Sequence, residues 1–354
     1  MALLALLATT PSVASDFVNH PDSPQDVASS RTHSVSRPLV GTTLPTMRTP
    51  TVELASGATI TVTFSNPESP RAHEAVAIEL LENVADGAQV HASLWNLSLG
   101  GPLNAFKHAA EIGTLRLISD ASATHWRMRA LREAADESHV EVFRGTNHNK
   151  FVLVDKLATG EEWVVYTTSG NFTKHQRDWN QATVVLVGNK TLFDSYLDYW
   201  ESLRVGKPAA LQRRHGRVKL WTYPTDTGHA FLKGIAAARC DKGAEITISS
   251  LQFRNTEMAR ALRRASEGGC IVSVRTSEHW ADADDIWILT HNTDVTLTYT
   301  ATHSKWMAID KVGRRSRAYV YTGSANINER THEAADSTLR LKGRAIYDAF
   351  RAEA

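Results

Sequence analysis

The most constraining feature of the sequence is an internal repeat. The stretch HNKFVLVD, His148 to Asp155, returns as HSKWMAID, His303 to Asp310, at an offset of 155 residues. The same offset recurs downstream at two further polar pairs, Ser169 with Ser324 and Asn171 with Asn326. Chance does not easily match five polar positions in one register. The chain is therefore predicted to contain two copies of one structural unit, joined near residues 205–217.

Strand-like and helix-like segments alternate through each copy. Helical periodicity is present at 73–85, 103–112, 126–135 and 191–203, and short apolar runs such as QVHASLW, TLRLIS and ATVVLV lie between these segments. Upstream of the motif, GAQVHASLW is echoed by GAEITISSL, and His125-Trp126 by His279-Trp280. This alternation predicts the α/β class, with mixed, largely parallel sheets in two lobes that face each other about a pseudo-two-fold axis.

Three regions follow from this organisation. Residues 1–50 begin with MALLALLATTPSVAS, which is typical of a shortened secretory signal, and continue as a flexible leader rich in Ser, Thr and Pro. Residues 51–205 form the first predicted lobe and residues 206–354 the second. The signal-like segment predicts a secreted protein. We also expect a monomer, because both halves of the site lie in one chain.

Composition excludes some functions and leaves others open. Lys and Arg number 39 against 38 acidic residues, a formal net charge of +1, so the chain has no global signature of a nucleic-acid binder. No segment approaches 18 consecutive apolar residues, so no transmembrane helix is expected. The only two cysteines, Cys240 and Cys270, are too few for a disulfide scaffold or a zinc knuckle. They form either one bridge or two free core thiols.

The repeated motif places an imidazole beside an ammonium group. Successive side chains on a strand point to opposite faces, so His148 and Lys150 share one face, and His303 and Lys305 share one in the second copy. An ammonium group repels a divalent cation, so neither a metal nor another cofactor is expected. The same pair favours an anion, and two such pairs facing each other predict a phosphate site.

Other residues of the repeat complete this phosphate site. The side-chain amides of Asn171 and Asn326 add neutral hydrogen-bond donors to the two lysines. Ser169 and Ser324 either donate hydrogen bonds within the phosphate loop or only form turns. Preorganised donors of this kind stabilise the charge that develops on a pentacoordinate phosphorus.

Two histidines on opposite sides of a phosphate can divide the chemistry of diester cleavage. A neutral histidine attacks phosphorus and forms a covalent phosphohistidine, while a protonated histidine gives its proton to the departing alkoxide. The two roles require opposite protonation states. We therefore expect the pKa values of the two histidines to be pushed apart, and a bell-shaped dependence of rate on pH.

The pattern H-x-K-x4-D followed by G-S-x-N, twice in one chain, resembles the phospholipase D superfamily. The second copy, HSKWMAID and then GSAN, matches that pattern in full, and the resemblance covers nearly all of residues 51–354. It implies a two-lobed α-β-α sandwich, metal-independent phosphodiester chemistry and a phosphohistidine intermediate. By analogy with secreted bacterial phospholipases D, His148 is the implied nucleophile and His303 the acid and base. Asp155 and Asp310 complete the motif and join the predicted catalytic set, although structural ties suit them better.

The first copy departs from the family pattern in two ways. Thr168 stands where the second copy has a glycine, because the sequence reads TSGN. In many relatives an acid about thirteen residues after the serine orients the histidine, yet these positions are Ala182 and Ser337 here. The candidates to replace it are Asp178, Asn180, Glu333 and Asp336.

The substrate is less constrained than the chemistry. The expected reaction is hydrolysis or transphosphatidylation of phospholipids such as phosphatidylcholine, at a membrane surface or micelle, to give phosphatidic acid and the head-group alcohol. The alternatives are a nuclease-like phosphodiesterase and a non-catalytic relative. Nine tryptophans are present. Those near the strand ends can contact acyl chains or stack on bases, so they do not discriminate between lipid and nucleic acid.

Overall fold

The computed structural model describes residues 51–54, 57–120, 130–131, 139–143, 145–177, 179–225, 228–329, 331 and 333–354. The predicted signal and leader, the His125-Trp126 echo, Asp178 and most of the helix predicted over 126–135 lie outside these ranges. The described part of the chain clusters into one compact unit.

The first lobe contains an eight-stranded sheet. Its strands are β1 (Thr51–Glu53), β2 (Thr59–Ser65), β3 (Gln89–Leu94), β4 (Thr114–Ser119), β5 (His139–Val142), β6 (Lys150–Lys156), β7 (Glu162–Thr168) and β8 (Gln181–Val187). Its helices are α1 (Ala72–Glu82), α2 (Gly100–Ile112) and α3 (Lys190–Arg204). The predicted helices at 73–85, 103–112 and 191–203 are therefore confirmed, with ends that differ by a few residues.

The second lobe contains another eight-stranded sheet and a short two-stranded one. Its strands are β9 (Gln212–His215), β10 (Val218–Thr222), β11 (Glu245–Ser250), β12 (Phe253–Arg254), β13 (Ile271–Thr276), β14 (Thr296–Tyr299), β15 (Lys305–Val312), β16 (Arg317–Gly323), β17 (Ile327–Asn328) and β18 (Ser337–Lys342). Its helices are α4 (Ala230–Ala236), α5 (Thr256–Glu267), α6 (Ala283–Thr290) and α7 (Arg344–Ala352). Strands β12 and β17 form the small sheet.

Both large sheets have the same strand order. The first runs β1-β2-β8-β7-β6-β3-β4-β5 and the second β9-β10-β18-β16-β15-β11-β13-β14 when read from the matching end. Each strand of one sheet thus has a counterpart at the same place in the other. The α/β class, the mixed sheets and the two-lobed arrangement are confirmed.

The prediction that the sheets are largely parallel is wrong. Within the two large sheets, the described strands that pair in parallel are β3, β4 and β5 and their counterparts β11, β13 and β14. The remaining neighbours in each large sheet are antiparallel. Helical crossovers produce parallel pairs, whereas the short connections after β6 and β15 can only return antiparallel strands. Alternation of helices and strands in the sequence does not reveal which neighbours are joined directly.

Three apolar clusters give the molecule its layers. The central cluster contains one face of each large sheet together with α3 and α7, and it includes Trp200 and Trp306. The second cluster lies between the other face of the first sheet and α1 with α2. The third lies between the other face of the second sheet and the helices α4 to α6. Burial of each large apolar side chain contributes about 1.5–3 kcal/mol, so the shared central cluster strongly favours joined lobes.

Side chains alternate between these clusters along the motif strands. On β6, Phe151 and Leu153 face the central cluster, whereas Val152 and Val154 face the outer cluster of the first lobe. Lys150 has the same parity as Val152, so it follows the outer face at the end of the strand. The strand therefore fixes the side on which the charged end of the motif emerges.

Cys240 and Cys270 form a disulfide that closes a loop in the second lobe. The structure thus decides between the bridge and the free thiols that the sequence left open. Across the described ranges, no helix combines the length and the apolar character that crossing a bilayer requires.

Candidate functional site

The two motifs meet where the lobes join. Strands β6 and β15 begin at Lys150 and Lys305, and each histidine lies two residues before its strand. His148 N donates to Ala335 O at 2.9 Å, and His303 N donates to Asn180 O at 2.9 Å. Each histidine is thus held by the main chain of the opposite lobe. The site is a composite of both copies, as the facing lobes of the sequence prediction require.

His148 is oriented by a carboxylate from the second lobe. Its Nδ1 lies 3.1 Å from Oδ1 and 3.2 Å from Oδ2 of Asp336. The carboxylate accepts a hydrogen from Nδ1, which leaves the lone pair on Nε2. His148 keeps 18% of its side-chain surface exposed, so Nε2 remains accessible to a substrate.

His303 has a different environment. It is buried, and its Nδ1 lies 2.9 Å from the main-chain oxygen of Ser169 in the first lobe. Lys305 Nζ lies 3.0 Å from the same ring nitrogen and 3.0 Å from the same oxygen. A carbonyl and an ammonium group therefore surround Nδ1 of His303, where Nδ1 of His148 meets a carboxylate.

Both lysines are buried at the centre of the site. Lys150 Nζ donates to His148 O at 2.7 Å, and Lys305 Nζ donates to His303 O at 3.0 Å. Each ammonium group thus folds back onto its own motif and stays beside its histidine. A buried ammonium group strongly favours an anionic ligand, because it has lost its water.

The electrostatics of the cluster favour neutral histidines. Burial, and then the charge of Lys150, lowers the pKa of His148 to about 4, against the opposing effect of Asp336. Burial, followed by Lys305 and Lys150, holds the pKa of His303 well below its usual range. Burial and the charge of Lys150 likewise hold the pKa of Lys305 well below its usual range.

The sequence predicted that the two histidine pKa values would move apart, yet both move downward. Only His148 has a carboxylate that opposes this shift. Burial acts to raise the pKa of Asp336, but the charge and hydrogen bond of His148 outweigh it, and the carboxyl titrates below its usual range. A bound phosphodiester anion would raise both histidine pKa values, because an opposite charge stabilises the imidazolium.

The two asparagines are buried with unused hydrogen-bonding capacity. Among the described residues, neither Nδ2 nor Oδ1 of Asn171 has a hydrogen-bond partner, and Oδ1 of Asn326 also lacks one. A buried amide without a partner is costly unless a ligand or water satisfies it. Their position and their free polar atoms suit the phosphate-binding role that the sequence predicted.

The two serines tie the loops to the neighbouring strand ends. Ser169 Oγ accepts from Ala182 N at 3.1 Å, and Ser324 Oγ accepts from Ser337 N at 3.1 Å. Both hydroxyls thus serve the loop itself, and the hydroxyl of Ser324 also helps to lower the pKa of Asp336 through a hydrogen bond. The main-chain oxygen of Ser169 also accepts from Lys305, so this turn supports the site through its backbone.

Steric exclusion explains the glycine at the start of GSAN, Gly323. The same exclusion does not apply at Thr168, the first residue of TSGN. Gly323 has φ 154°, and a Cβ there would lie 2.2 Å from the main-chain oxygen of Ser337. Thr168 in the first lobe has no positive φ, and its Oγ1 accepts from Thr183 Oγ1 at 2.9 Å. The first copy therefore accommodates a side chain by a different local backbone and by new hydrogen bonds.

Asp155 and Asp310 do not reach the cluster, which corrects their placement in the catalytic set. They lie near the far ends of β6 and β15. Asp155 Oδ1 accepts from Gln89 N at 2.8 Å, and Asp310 Oδ1 accepts from Glu245 N at 2.8 Å. Each carboxylate caps the start of the adjacent strand, so the spacing that the two copies of the motif share reflects a structural tie.

The four candidates for the acid that orients a histidine differ in their position relative to the site. Asp336 contacts His148 directly. Asn180 supports His303 only through its main-chain oxygen, and Glu333 is exposed. Asp178 lies outside the described residues. At 155 residues before Asp336 stands Gln181, so the second histidine has no matching acid at the repeat position.

Sequence reasoning missed a second pair of histidines. His73 and His229 lie 156 residues apart, at the starts of α1 and α4, and both are buried. Burial lowers the pKa of each to about 4. The main chain of Asn171 and of Asn326 respectively opposes this shift, although neither Nε2 makes a hydrogen bond of good geometry to a residue that the structure describes. A search for repeats at neighbouring offsets would have found this pair.

Two tryptophans flank the histidine rings of the repeated motif. The ring centroid of Trp95 lies 5.8 Å from that of His148, and the centroid of Trp179 lies 5.9 Å from that of His303. Both indoles are partly exposed. Each histidine thus has one aromatic wall, which limits its rotation and borders the path of a substrate.

No protein-family model and no curated protein matches the chain. Solved structures do share its fold. Polyphosphate kinase from Porphyromonas gingivalis superposes with a TM-score of 0.61 at 12% identity, over 83% of this chain and 49% of that one. The chain thus spans about half the length of the kinase.

Two further structures match over most of both chains. Yeast tyrosyl-DNA phosphodiesterase gives a TM-score of 0.52 at 10% identity, over 80% of this chain and 91% of that one. Phosphatidylserine synthase from Haemophilus influenzae gives 0.54 at 10% identity, over 86% and 87% respectively. At such low identities the similarity establishes a common two-lobed fold.

Proposed function

We propose that this protein is a phosphodiesterase of the phospholipase D type. It hydrolyses or transphosphatidylates phospholipids such as phosphatidylcholine, producing phosphatidic acid or a new diester and releasing the head-group alcohol. The observation that carries the proposal is the convergence of the two His-Lys pairs at the junction of the lobes, with His148 paired to Asp336. The duplicated motif and the fold shared with phosphodiester-acting enzymes support it.

His148 is the nucleophile in this proposal. Asp336 accepts the hydrogen on Nδ1, and the low pKa of His148 keeps Nε2 unprotonated near neutral pH. Nε2 forms a bond to phosphorus while the bond from phosphorus to the head-group oxygen breaks. The lysines balance the charge on the phosphoryl oxygens, with the amides of Asn171 and Asn326 as further donors.

His303 is the acid and then the base. The phosphodiester anion raises its pKa, so that it binds a proton and transfers it to the departing alkoxide. In the second step His303 removes a proton from water, whose oxygen forms a bond to phosphorus as the bond to His148 breaks. An alcohol in place of water gives transphosphatidylation.

A nuclease-like activity is the second candidate. The aromatic walls at Trp95 and Trp179 are compatible with it, since indoles can stack on bases as well as contact lipid. One of the structures with this fold is, by its name, a tyrosyl-DNA phosphodiesterase. Nucleic-acid binding would fall steeply with added salt.

The deciding experiment compares lipid and nucleic acid as substrates. Purified protein is incubated in chelator with phosphatidylcholine micelles and, separately, with single- and double-stranded DNA. His148→Ala and His303→Ala are assayed beside it, and Glu267→Gln serves as a surface control. The proposal expects choline release that both histidine variants abolish and that the control retains.

Each other outcome replaces part of the proposal. DNA cleavage without choline release would establish the nuclease. Loss of lipid cleavage in chelator would contradict the metal-independent mechanism. Folded protein with no turnover of either substrate would identify a non-catalytic relative.

The proposal includes secretion and a monomeric enzyme. The disulfide between Cys240 and Cys270 supports an oxidising compartment, because such bonds are rarely stable in the cytosol. The composite site supports a monomer, since one chain supplies both histidines. Fractionation of the source cells and the mass of the protein in solution test these two points.

A further inference from the structure

A cavity of about 300 Å³ lies in the second lobe, beside the loop that carries Asn326. Its polar lining comprises His229, Asn255, Glu257, Asn328, Glu329 and Thr331. This volume is at the lower end of the range for small-molecule sites, and it suits a group of a few heavy atoms.

The cavity is continuous with the phosphate-binding loop. Thr331 Oγ1 donates to the main-chain oxygen of Asn326, and the ring of His229 lies against the main chain of the same residue. The residues that line the cavity lie in the segments after β10, after β11 and β12, and after β16, where β17 begins. Ser250, at the end of β11, pairs with Lys305, so these loops leave the sheet at the edge where the motif lies.

The charge of the cavity is negative. Glu257 and Glu329 line it, and neither makes an ion pair with any residue that the structure describes. Asp285, buried nearby, hydrogen-bonds Thr256. Burial, followed by Asp282 and Glu329, raises the pKa of Asp285, which reports the negative field of this region. A cationic occupant would be stabilised here, and an anionic one repelled.

His229 supplies an independent sign of a ligand. It is buried, and its Nε2 lies against the main chain of Asn326 without a hydrogen bond of good geometry to any residue that the structure describes. Its Nδ1 accepts from Phe231 N at 3.2 Å, so the neutral ring carries its hydrogen on Nε2. The cavity therefore combines one buried donor with two carboxylate acceptors, a set that matches a group bearing both a cation and an oxygen.

The first lobe lacks this cavity chemistry. By the repeat, Asn255 and Glu257 correspond to Leu99 and Gly101, which lie 156 residues earlier. Glu329 corresponds to Lys174, 155 residues earlier, which reverses the charge. Near this place in the first lobe, Arg177 forms a bidentate ion pair with Glu74. At the positions that the structure describes, the acidic pair that lines the cavity is thus found in the second copy and not at the matching places of the first.

The lining also distinguishes between kinds of cation. None of the residues around the cavity is aromatic apart from the imidazole. Quaternary ammonium groups are typically held in aromatic cages, whereas a primary ammonium donates hydrogen bonds to carboxylates.

We propose that this cavity is the head-group subsite and that it takes an amino alcohol with a primary ammonium group. The inference rests on the proposed phospholipase function. Glu257 and Glu329 bind the ammonium, and Nε2 of His229 donates to an oxygen of the head group. Phosphatidylethanolamine is then preferred to phosphatidylcholine, and both are preferred to the uncharged head group of phosphatidylglycerol.

The test compares these three lipids, with identical acyl chains, in neutral detergent micelles. Wild-type protein is assayed beside Glu257→Gln and Glu329→Lys, the latter introducing the residue type of the first lobe. We expect each variant to lose about tenfold or more in kcat/KM on phosphatidylethanolamine, with little change on phosphatidylglycerol. Glu267→Gln, at the other end of α5, is the matched control and keeps the wild-type preference.

A binding measurement separates the subsite from the lipid activity. Calorimetric titration of wild-type protein and Glu329→Lys with ethanolamine, choline and ethylene glycol needs no turnover. Ethanolamine should bind wild type most tightly and lose affinity in the variant. If ethanolamine binds in this way but the protein cleaves no lipid, the proposed phospholipase function is rejected and the ammonium-binding subsite is retained.

Two results overturn the inference. One is equal turnover of the three lipids by wild type and both cavity variants, which would leave the phospholipase function intact. The other is choline bound as tightly as ethanolamine, or ethanolamine binding that Glu329→Lys leaves unchanged.

Discussion

The two lobes have the same strand order but different loops at the site. His148 faces the carboxylate of Asp336, whereas His303 faces the main-chain oxygen of Ser169. The two residues at the matching position of the repeat are Asp336 and Gln181. Duplication thus explains why two His-Lys pairs exist, and divergence of single residues explains why two similar histidines have different surroundings.

The side chain of Gln181 illustrates how far this divergence goes. It packs so closely on Gly170 that a Cβ there would lie 1.1 Å from its Oε1. Its Nε2 donates to Gln176 O. The first lobe therefore uses this position to shape its own loop, and the second lobe uses it to orient a histidine across the junction.

The largest expected effect comes from removing the imidazole of either histidine of the motif. With a diester that has a good leaving group, His303→Ala should still form the phosphoenzyme and accumulate it, because acid catalysis is then dispensable. His148→Ala should form none. Each should lose roughly 10⁴-fold in turnover of a natural diester. Mass spectrometry of the quenched protein locates the phosphoryl group, and its appearance on His303 in His148→Ala would reverse the assignment.

Removal of the orienting carboxylate should have the next largest effect. Asp336→Asn should reduce kcat by roughly 10²–10⁴-fold, because Nδ1 loses its charged acceptor. The carboxylate also stabilises the protonated ring, so the pKa of His148 should fall and the acid limb of the kcat/KM profile should move to lower pH. A pH profile measured on both proteins checks this, and an unchanged acid limb would separate Asp336 from the nucleophile.

The two loop positions should differ in stability. Gly323→Ala should lower the free energy of unfolding by about 2–4 kcal/mol, because its Cβ would meet the main chain of Ser337. Thr168→Gly, at the matching position, should cost about 1–2 kcal/mol through lost hydrogen bonds. Urea denaturation provides both values. Equal costs would mean that the two loops have the same backbone after all.

The smallest effects belong to the acids at the far strand ends. Asp155→Ala should cost about 1 kcal/mol of stability. Asp310→Ala should cost slightly more, because Asp310 is more buried and also lies 3.5 Å from Arg344. Both should keep kcat within about twofold, as neither touches the cluster. A fall in kcat at unchanged stability would return these residues to the catalytic set.

Much of the fold and of the candidate site was predictable from the internal repeat. The two copies of the H-x-K motif, each followed by an Asn at the same offset, identified residues that the structure brings to one junction. Local periodicity predicted most of the helices. The parallel share of the sheets was not predictable, because strand pairing depends on which segments become neighbours in space. The partner of His148 was one of four candidates, since a contact across 188 residues leaves no local pattern.

The sequence by itself determined the class of fold, the two-lobed organisation and the residue types available for phosphoryl chemistry. It did so because strand and helix periodicity are local properties and because a duplicated register is visible in one dimension. Only the tertiary structure decided that Asp336 orients His148, that Asp155 and Asp310 are structural ties, and that an acidic cavity exists in one lobe. These depend on side chains from distant segments approaching within hydrogen-bond distance, which packing of the two lobes around their common core alone establishes.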